Sequence, residues 1–219
     1  MYHSKLTAFI SNEKKNRLQK FHYKEDYKRG LLGDILARYL ISTNFNIAPC
    51  TIEFANNSYG KPFIKNLPNA FFNVSHSGNY VFCGVSNTEI GVDIEKHHLL
   101  DLNLAQHIFS SEEYKDLITL SDKDQLDYFF KLWTLKEAYI KYLGIGLSTP
   151  LQSFSFKIMD GTIHFHGNHC DILSFLSTHL EGQYSLACCS TEAIEANAIE
   201  LLSLQTIITS FNNKMVYES

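Results

Sequence analysis

The segment Ile90-Gly91-Val92-Asp93-Ile94-Glu95 constrains this chain more than any other. Ile90, Val92 and Ile94 alternate with Gly91, Asp93 and Glu95, which is the period of a strand with one apolar face. The other face then carries two carboxylates about 6.6 Å apart, with Gly91 leaving room beside them. Carboxylates on so apolar a strand need a neutralising partner, and a hard divalent cation meets the need most simply. A third acid, Glu137, lies in Trp133 to Lys141 (W-T-L-K-E-A-Y-I-K), which reads as a helix. Three oxygen donors without a thiol suit Mg²⁺, with Mn²⁺ as its substitute. Mg²⁺ keeps waters and takes further ligands from substrate phosphates, so the pattern points to phosphoryl or phosphodiester transfer.

On that helix Trp133, Glu137 and Lys141 fall at i, i+4 and i+8, along one side. Glu137 and Lys141 could be a simple helix ion pair, worth about 0.2–0.5 kcal/mol. In the functional reading, Glu137 is a ligand or base and Lys141 a cation for phosphate charge or a leaving group. Trp133, beside Phe129 and Phe130, reads as core.

With 219 residues, 45% hydrophobic and 13% aromatic, the chain can bury a real core as one large or two small domains. A net charge of −4 argues against nucleic acid and membrane partners. Yet Ser11 to Gly30 holds seven Lys/Arg against three acids, a local +4. That run is either a solvated helix face or a patch for a small polyanion. The five cysteines (Cys50, Cys83, Cys170, Cys188, Cys189) are odd in number and form no C-x-x-C, so a reducing, cytoplasmic setting is expected. Met1 to Ile10 lacks signal-peptide architecture, and no apolar run approaches the roughly 20 residues of a membrane span.

Ser11 should cap a helix that breaks and resumes before Leu31 and ends near Ser42 to Asn46. A short strand is expected at Thr51 to Phe54, then a turn at Asn56 to Pro62. Ala70 to Ser75, Tyr80 to Ser86 and Ile90 to Glu95 read as an antiparallel meander, with Ser75 to Asn79 as a loop. Ser110 and Glu113 have capping-box spacing. Asp122 to Tyr142 reads as a long helix stopped at Gly144. Strands are expected at Phe154 to Ile158, Ile163 to His166 and Tyr184 to Cys189, with a strand or helix in Ile199 to Thr209. Helices followed by antiparallel strands recur in both halves, an α+β plan.

Around His76, the serines Ser75 and Ser77 and the backbone near Gly78 could converge on an anion. Lys61, before Pro62, offers a cation in a constrained turn. His164, His166, His169 and Cys170 invite a metal assignment, but His-x-His alternation is also an ordinary half-exposed strand face, and no second ligand group stands at zinc spacing.

The ordered set F-H-Y-K-E-D-Y-K-R-G-L-L-G-D, Y-G-K-P, F-N-V-S-H-S-G, I-G-V-D-I-E-K, F-F-K-L-W-T-L-K-E-A-Y-I-K and G-L-S-T-P-L resembles the Sfp-type 4′-phosphopantetheinyl transferases. The motifs occur in family order from Ser11 to about Phe156. The resemblance implies transfer of the phosphopantetheine arm of coenzyme A to a serine of an apo acyl or peptidyl carrier protein, with release of 3′,5′-ADP. It implies Asp93, Glu95 and Glu137 as Mg²⁺ ligands, and Glu137, directly or through water, as the base for the serine. Lys141 would stabilise or protonate the leaving phosphate. Lys14, Arg17 and Arg29 match positions near the coenzyme A 3′-phosphate. Lys61 and Pro62 match the pocket around adenine and phosphates, Ser75 and His76 the phosphate-contacting loop, and Lys136 stands before the ligand Glu137.

The family fold implies two pseudo-twofold-related halves, each with helices on a small antiparallel sheet. Residues 1–100 would carry the coenzyme A site and two ligands, and residues 101–219 the third ligand and the catalytic helix, in a monomer. Carriers of peptide, polyketide or fatty-acid synthases would be the partners. Two features depart from the family. Met1 to Ile10 is short for the usual first strand, and Gly30 replaces a hydroxyl residue. The alternatives weighed are a coenzyme A or carrier-binding module without turnover, and a Mg²⁺ phosphodiesterase. Intact Asp93, Glu95, Glu137 and Lys141 argue against the first, and the absence of a two-metal His/Asp set against the second.

Overall fold

The computed structural model describes residues 6–168 and 172–216. Helix α1 (Asn12–Leu18) starts where Ser11 accepts the backbone N–H of Lys14, and α2 (Lys24–Phe45) ends on Asn46 in the left-handed conformation. Among residues 6–10 there is no strand. At Gly30 a Cβ would crowd Leu18 and Phe21, so the missing hydroxyl residue leaves room for α1 to pack on α2.

The strand expected at Thr51 to Phe54 is instead a 3-10 turn (Pro49–Thr51) followed by β1 (Phe54–Asn56), which pairs with β2 (Pro62–Ile64). Asn57 causes the difference. Its side-chain oxygen accepts the N–H groups of Tyr59 and Lys61, which folds a turn compact enough for β2 to return beside β1.

β3 (Phe71–Ser77) and β4 (Tyr80–Ser86) form a hairpin in which Ser77 pairs with Tyr80. The two-residue turn at Gly78 and Asn79 is tight enough for the strand to run on through Ser75, His76 and Ser77. His76 therefore lies in a strand, not in the expected loop.

The expected meander also breaks. β5 (Ile90–Lys96) leaves the hairpin and pairs antiparallel with β9 (Tyr184–Ser190), which pairs in turn with β8 (Ser174–Leu180). Its other edge is met by polar side chains of β3. Asn73 accepts the Val92 N–H, and Ser77 accepts the Lys96 N–H. Those side chains satisfy backbone groups that a β4 ladder would otherwise have served.

The remaining elements are α3 (Ala105–Ile108), α4 (Ser111–Thr119), α5 (Asp122–Leu143), β6 (Ser155–Met159), β7 (Thr162–His166) and α6 (Leu204–Val216). The capping box at Ser110 and Glu113 forms as read, and Gly144 ends α5 with positive φ. β8 was not foreseen, and the ambiguous Ile199 to Thr209 segment leads into α6.

One core surrounds α5, from Phe109, Phe129 and Leu135 to Phe156 and Cys189. A second lies between α2 and the first strands, with Ile41, Ile52, Ile64 and Phe72. A third joins Leu18, Leu31 and Ile35 to Ile207, Ile208 and Phe211 of α6. The boundary drawn near residue 100 is thus crossed by the β5–β9 ladder and by α6. Cys50, Cys83, Cys188 and Cys189 are free thiols, while His169 and Cys170 lie outside the described residues.

β5 lies directly against α5. A Cβ on Gly91 would collide with the Ala138 carbonyl oxygen and the Tyr142 nitrogen. Backbone cannot rotate aside as a side chain can, so Gly91→Ala should cost about 3 kcal/mol, the upper end for overpacking. Urea unfolding should show this as a lower midpoint with an unchanged slope.

Candidate active site

The face of β5 bearing Gly91, Asp93 and Glu95 meets α5, with the two elements running in opposite directions. Gly91 touches Ala138 and Tyr142, Asp93 meets Lys141, and Glu95 meets Trp133. Glu137 lies between Trp133 and Lys141 on the same side of the helix.

Asp93 is 2% exposed. Its Oδ1 accepts from Ser75 Oγ at 2.7 Å and from Lys141 Nζ at 2.5 Å, and Lys141 also donates to Ser75 Oγ. Its Oδ2 is buried without a hydrogen-bond partner. An unpaired buried carboxylate oxygen is costly unless something positive reaches it. Glu95 accepts from Ser77 Oγ at 2.8 Å and from the Trp133 side chain.

Burial raises the pKa of Glu95, and the Asp93 charge adds to the rise. Glu137 is shifted the same way, by burial first and then by the charge of Asp93, with Lys141 opposing. Three carboxylates near enough for their charges to act on one another, one with an orphaned oxygen, are the chemistry that suits a hard oxygen-seeking cation.

The expected basic residues divide. Arg29 donates to the Gly78 carbonyl at the β3–β4 turn and pairs with Asp26, leaving its Nε buried and unpartnered. His76 is exposed beside it. Partial desolvation, then the charges of Arg29 and Lys141, lower its pKa. Arg29 and Lys141 thus supply the positive charge near His76, whose lowered pKa favours the neutral imidazole.

Lys14 instead faces Asp34 at 3.8 Å, near Arg17 and Arg38, and burial lowers its pKa. Lys61 bonds Glu89 and the Tyr142 carbonyl, where it caps α5 with Asn57, whose amide reaches the Gly144 carbonyl. Pro62 opens β2. The structure brings none of Lys14, Arg17, Lys61 or Pro62 into a described contact with the three acids. Lys136 also points away from them. It is fully buried, paired with Glu113 and donating to the carbonyls of Leu151 and Phe154. One helical step of about 100° separates it from Glu137.

Sequence reasoning missed Asn73 and Ser77 as supports of β5 and assigned Trp133 to the core alone. Trp133 does pack on the α5 core, but its ring also reaches Glu95. The signal was the alternation Asn73, Ser75, Ser77, which marks a polar strand face as surely as Ile90, Val92, Ile94 marks an apolar one. The cavity of about 870 Å³ between α2, β4 and residues 190–207 is lined by none of the three acids.

Comparison with known proteins identifies the family. Residues 89–189 match the model of the 4′-phosphopantetheinyl transferase superfamily, and residues 2–88 that of a 4′-phosphopantetheinyl transferase N-terminal region. The 4′-phosphopantetheinyl transferase Sfp of Bacillus subtilis (strain 168) is 38% identical over 92% of this chain and 91% of its own. The 4′-phosphopantetheinyl transferase gsp of Aneurinibacillus migulanus is 33% identical over 94% and 87%. A solved holo-(acyl-carrier-protein) synthase from Bacillus anthracis, in complex with CoA (3′,5′-ADP), covers 49% of this chain and 97% of its own at 19% identity and a TM-score of 0.41. The chain belongs to the 4′-phosphopantetheinyl transferase superfamily, in its Sfp-type branch, and is a transferase. Among the described residues no helix is long and apolar enough to cross a membrane.

The raised carboxyl pKa values set a pH dependence. A carboxyl that binds its proton more tightly folded than unfolded stabilises the fold below its ordinary value near 4.5, and that contribution is lost as pH rises through the raised value. Metal-free protein should therefore lose stability across that window while Mg²⁺ affinity rises, because the ion displaces those protons. Glu137→Gln should raise the metal-free Tm and weaken Mg²⁺ binding, as calorimetry at pH 5 and pH 7.5 would show.

Proposed function

We propose that this chain transfers the 4′-phosphopantetheine arm of coenzyme A to a serine hydroxyl of an apo acyl or peptidyl carrier protein, in a Mg²⁺-dependent reaction releasing 3′,5′-ADP. The observation that carries this reading is buried Asp93, paired with Lys141, with Oδ2 unpartnered and its charge felt by both Glu95 and Glu137.

Asp93, Glu95 and Glu137 would hold the ion, and Ser75 and Ser77 orient the first two through hydroxyl hydrogen bonds. Bound there, Mg²⁺ supplies positive charge to the pyrophosphate oxygens of coenzyme A. Glu137, its pKa raised by burial, accepts the proton of the carrier serine as the serine oxygen bonds to phosphorus. The bond from that phosphorus to the bridging oxygen breaks, and 3′,5′-ADP departs. Lys141 lies where charge grows on the leaving phosphate and can neutralise it or return a proton. Arg29 and His76 flank the acids on the side suited to the nucleotide phosphates. The remaining family positions Lys14, Arg17, Lys61 and Pro62 would join them only by contacting coenzyme A directly. All three acids come from one chain, so a monomer suffices.

Incubation with coenzyme A, Mg²⁺ and an apo-carrier protein should add one phosphopantetheine arm to the carrier, read by mass spectrometry. Glu137→Gln should lower the rate by about 10²–10⁴-fold, and Lys141→Met by about 10²–10³-fold. Tight coenzyme A binding with no mass gain on peptidyl or acyl carriers would overturn the proposal.

A further inference from the structure

Farther along the strand-on-helix contact, a second group of ligand-type side chains converges. His97, Asp127 and His179 each present one ligand atom, and the three atoms lie within 4.8 Å of one another. His97 follows β5 two residues beyond Glu95 and so keeps to the face that meets α5. Asp127 lies in the second turn of α5, and His179 on β8.

The β-ladders fix this meeting. Glu95 pairs with Ser185, and Ser185 pairs with His179, so the three share a row on one sheet face. The His97 N–H bonds the Gln183 carbonyl, which ties the residue to the β8–β9 turn.

We propose that His97, Asp127 and His179 form a binding site for a borderline divalent transition ion such as Zn²⁺, separate from the carboxylate site. Two imidazoles and one carboxylate make a nitrogen-rich set that suits Zn²⁺ and disfavours Mg²⁺. The His97 ring is held on both sides of its chemistry. One nitrogen, Nε2, lies 2.8 Å from the hydroxyl of fully buried Ser185, and the ring stacks on Phe130 at 4.8 Å. Metal-bound imidazoles are oriented by just such a partner on their second nitrogen.

His179 Nε2 lies 2.8 Å from Asp127 Oδ1, a contact that a bound ion would replace. A tetrahedral ion with bonds of about 2.0 Å holds its ligand atoms about 3.3 Å apart. Small rotations of two partly exposed side chains, 36% and 50% accessible, close that geometry and leave a fourth position to water. An ion there ties β5, α5 and β8 together at the end opposite Gly91.

The test titrates full-length protein with Zn²⁺ in excess Mg²⁺ by calorimetry, and with Co²⁺ by visible absorption. We expect one Zn²⁺ per chain, tetrahedral Co²⁺ bands, and a Tm rise of roughly 5–10 °C at one hundred times Kd. His179→Ala and Asp127→Asn, both on accessible side chains, should each weaken binding about 10–100-fold. Glu137→Gln and the double variant His164→Ala/His166→Ala should leave it intact. Equal Zn²⁺ affinity in His179→Ala and Asp127→Asn, or loss of the site in Glu137→Gln, would overturn the proposal.

Discussion

The contact on which this structure depends is the backbone-to-backbone approach of β5 to α5 at Gly91. Any side chain there would lift the helix off the strand. With the helix down, Lys141 reaches Asp93 and the Trp133 ring reaches Glu95. The six residue steps from Gly91 to His97 span about 20 Å, and the twelve helical steps from Tyr142 back to Phe130 span about 18 Å. The near match keeps the two elements in step, and His97 still lies on Phe130 at the far end.

A second constraint decides which face of α5 is free for chemistry. Lys136 is buried against Glu113, and Glu113 also accepts the N–H groups of Ser110 and Phe156. One carboxylate therefore closes the α4 cap, fixes the start of β6 and holds α5 in rotation. A buried pair of this kind contributes little net stability, but breaking it leaves a naked charge. Its effect here is orientation: Lys136 turned into the core leaves Glu137 turned toward Asp93. Lys61 holds the other end of α5 by the Tyr142 carbonyl, so two lysines that resemble parts of a phosphate site set the helix that carries the acids.

Local periodicity made much of this legible. The α5 span, the capping box at Ser110 and the strand face shared by Asp93 and Glu95 are properties of a few neighbouring residues. So was the family, because its motifs are short and ordered. What sequence could not give was pairing. Nothing in Ile90 to Glu95 says that its partner is Tyr184 to Ser190 rather than Tyr80 to Ser86, since both runs are apolar and of similar length. The Asn73, Ser75, Ser77 row that replaces the ladder becomes meaningful only once β5 is beside it. The histidine group was invisible for the same reason. His164 and His166 stand two apart on one half-exposed strand, whereas the three residues that meet come from separate parts of the chain.

The site is also where the fold works against itself. Asp93 is buried with one oxygen unpartnered, and burial opposes the charge on Glu95 and Glu137. Each is a local loss that surrounding structure must offset. Lys141 relieves part of it by pairing with Asp93, yet the same lysine is the group best placed to meet a leaving phosphate. In the proposed reaction its pairing with Asp93 would loosen if a divalent ion took the carboxylate. On that reading the Lys141–Asp93 pair would keep the cation against the acid until ion and coenzyme A bind, and would then release it to the reacting phosphate.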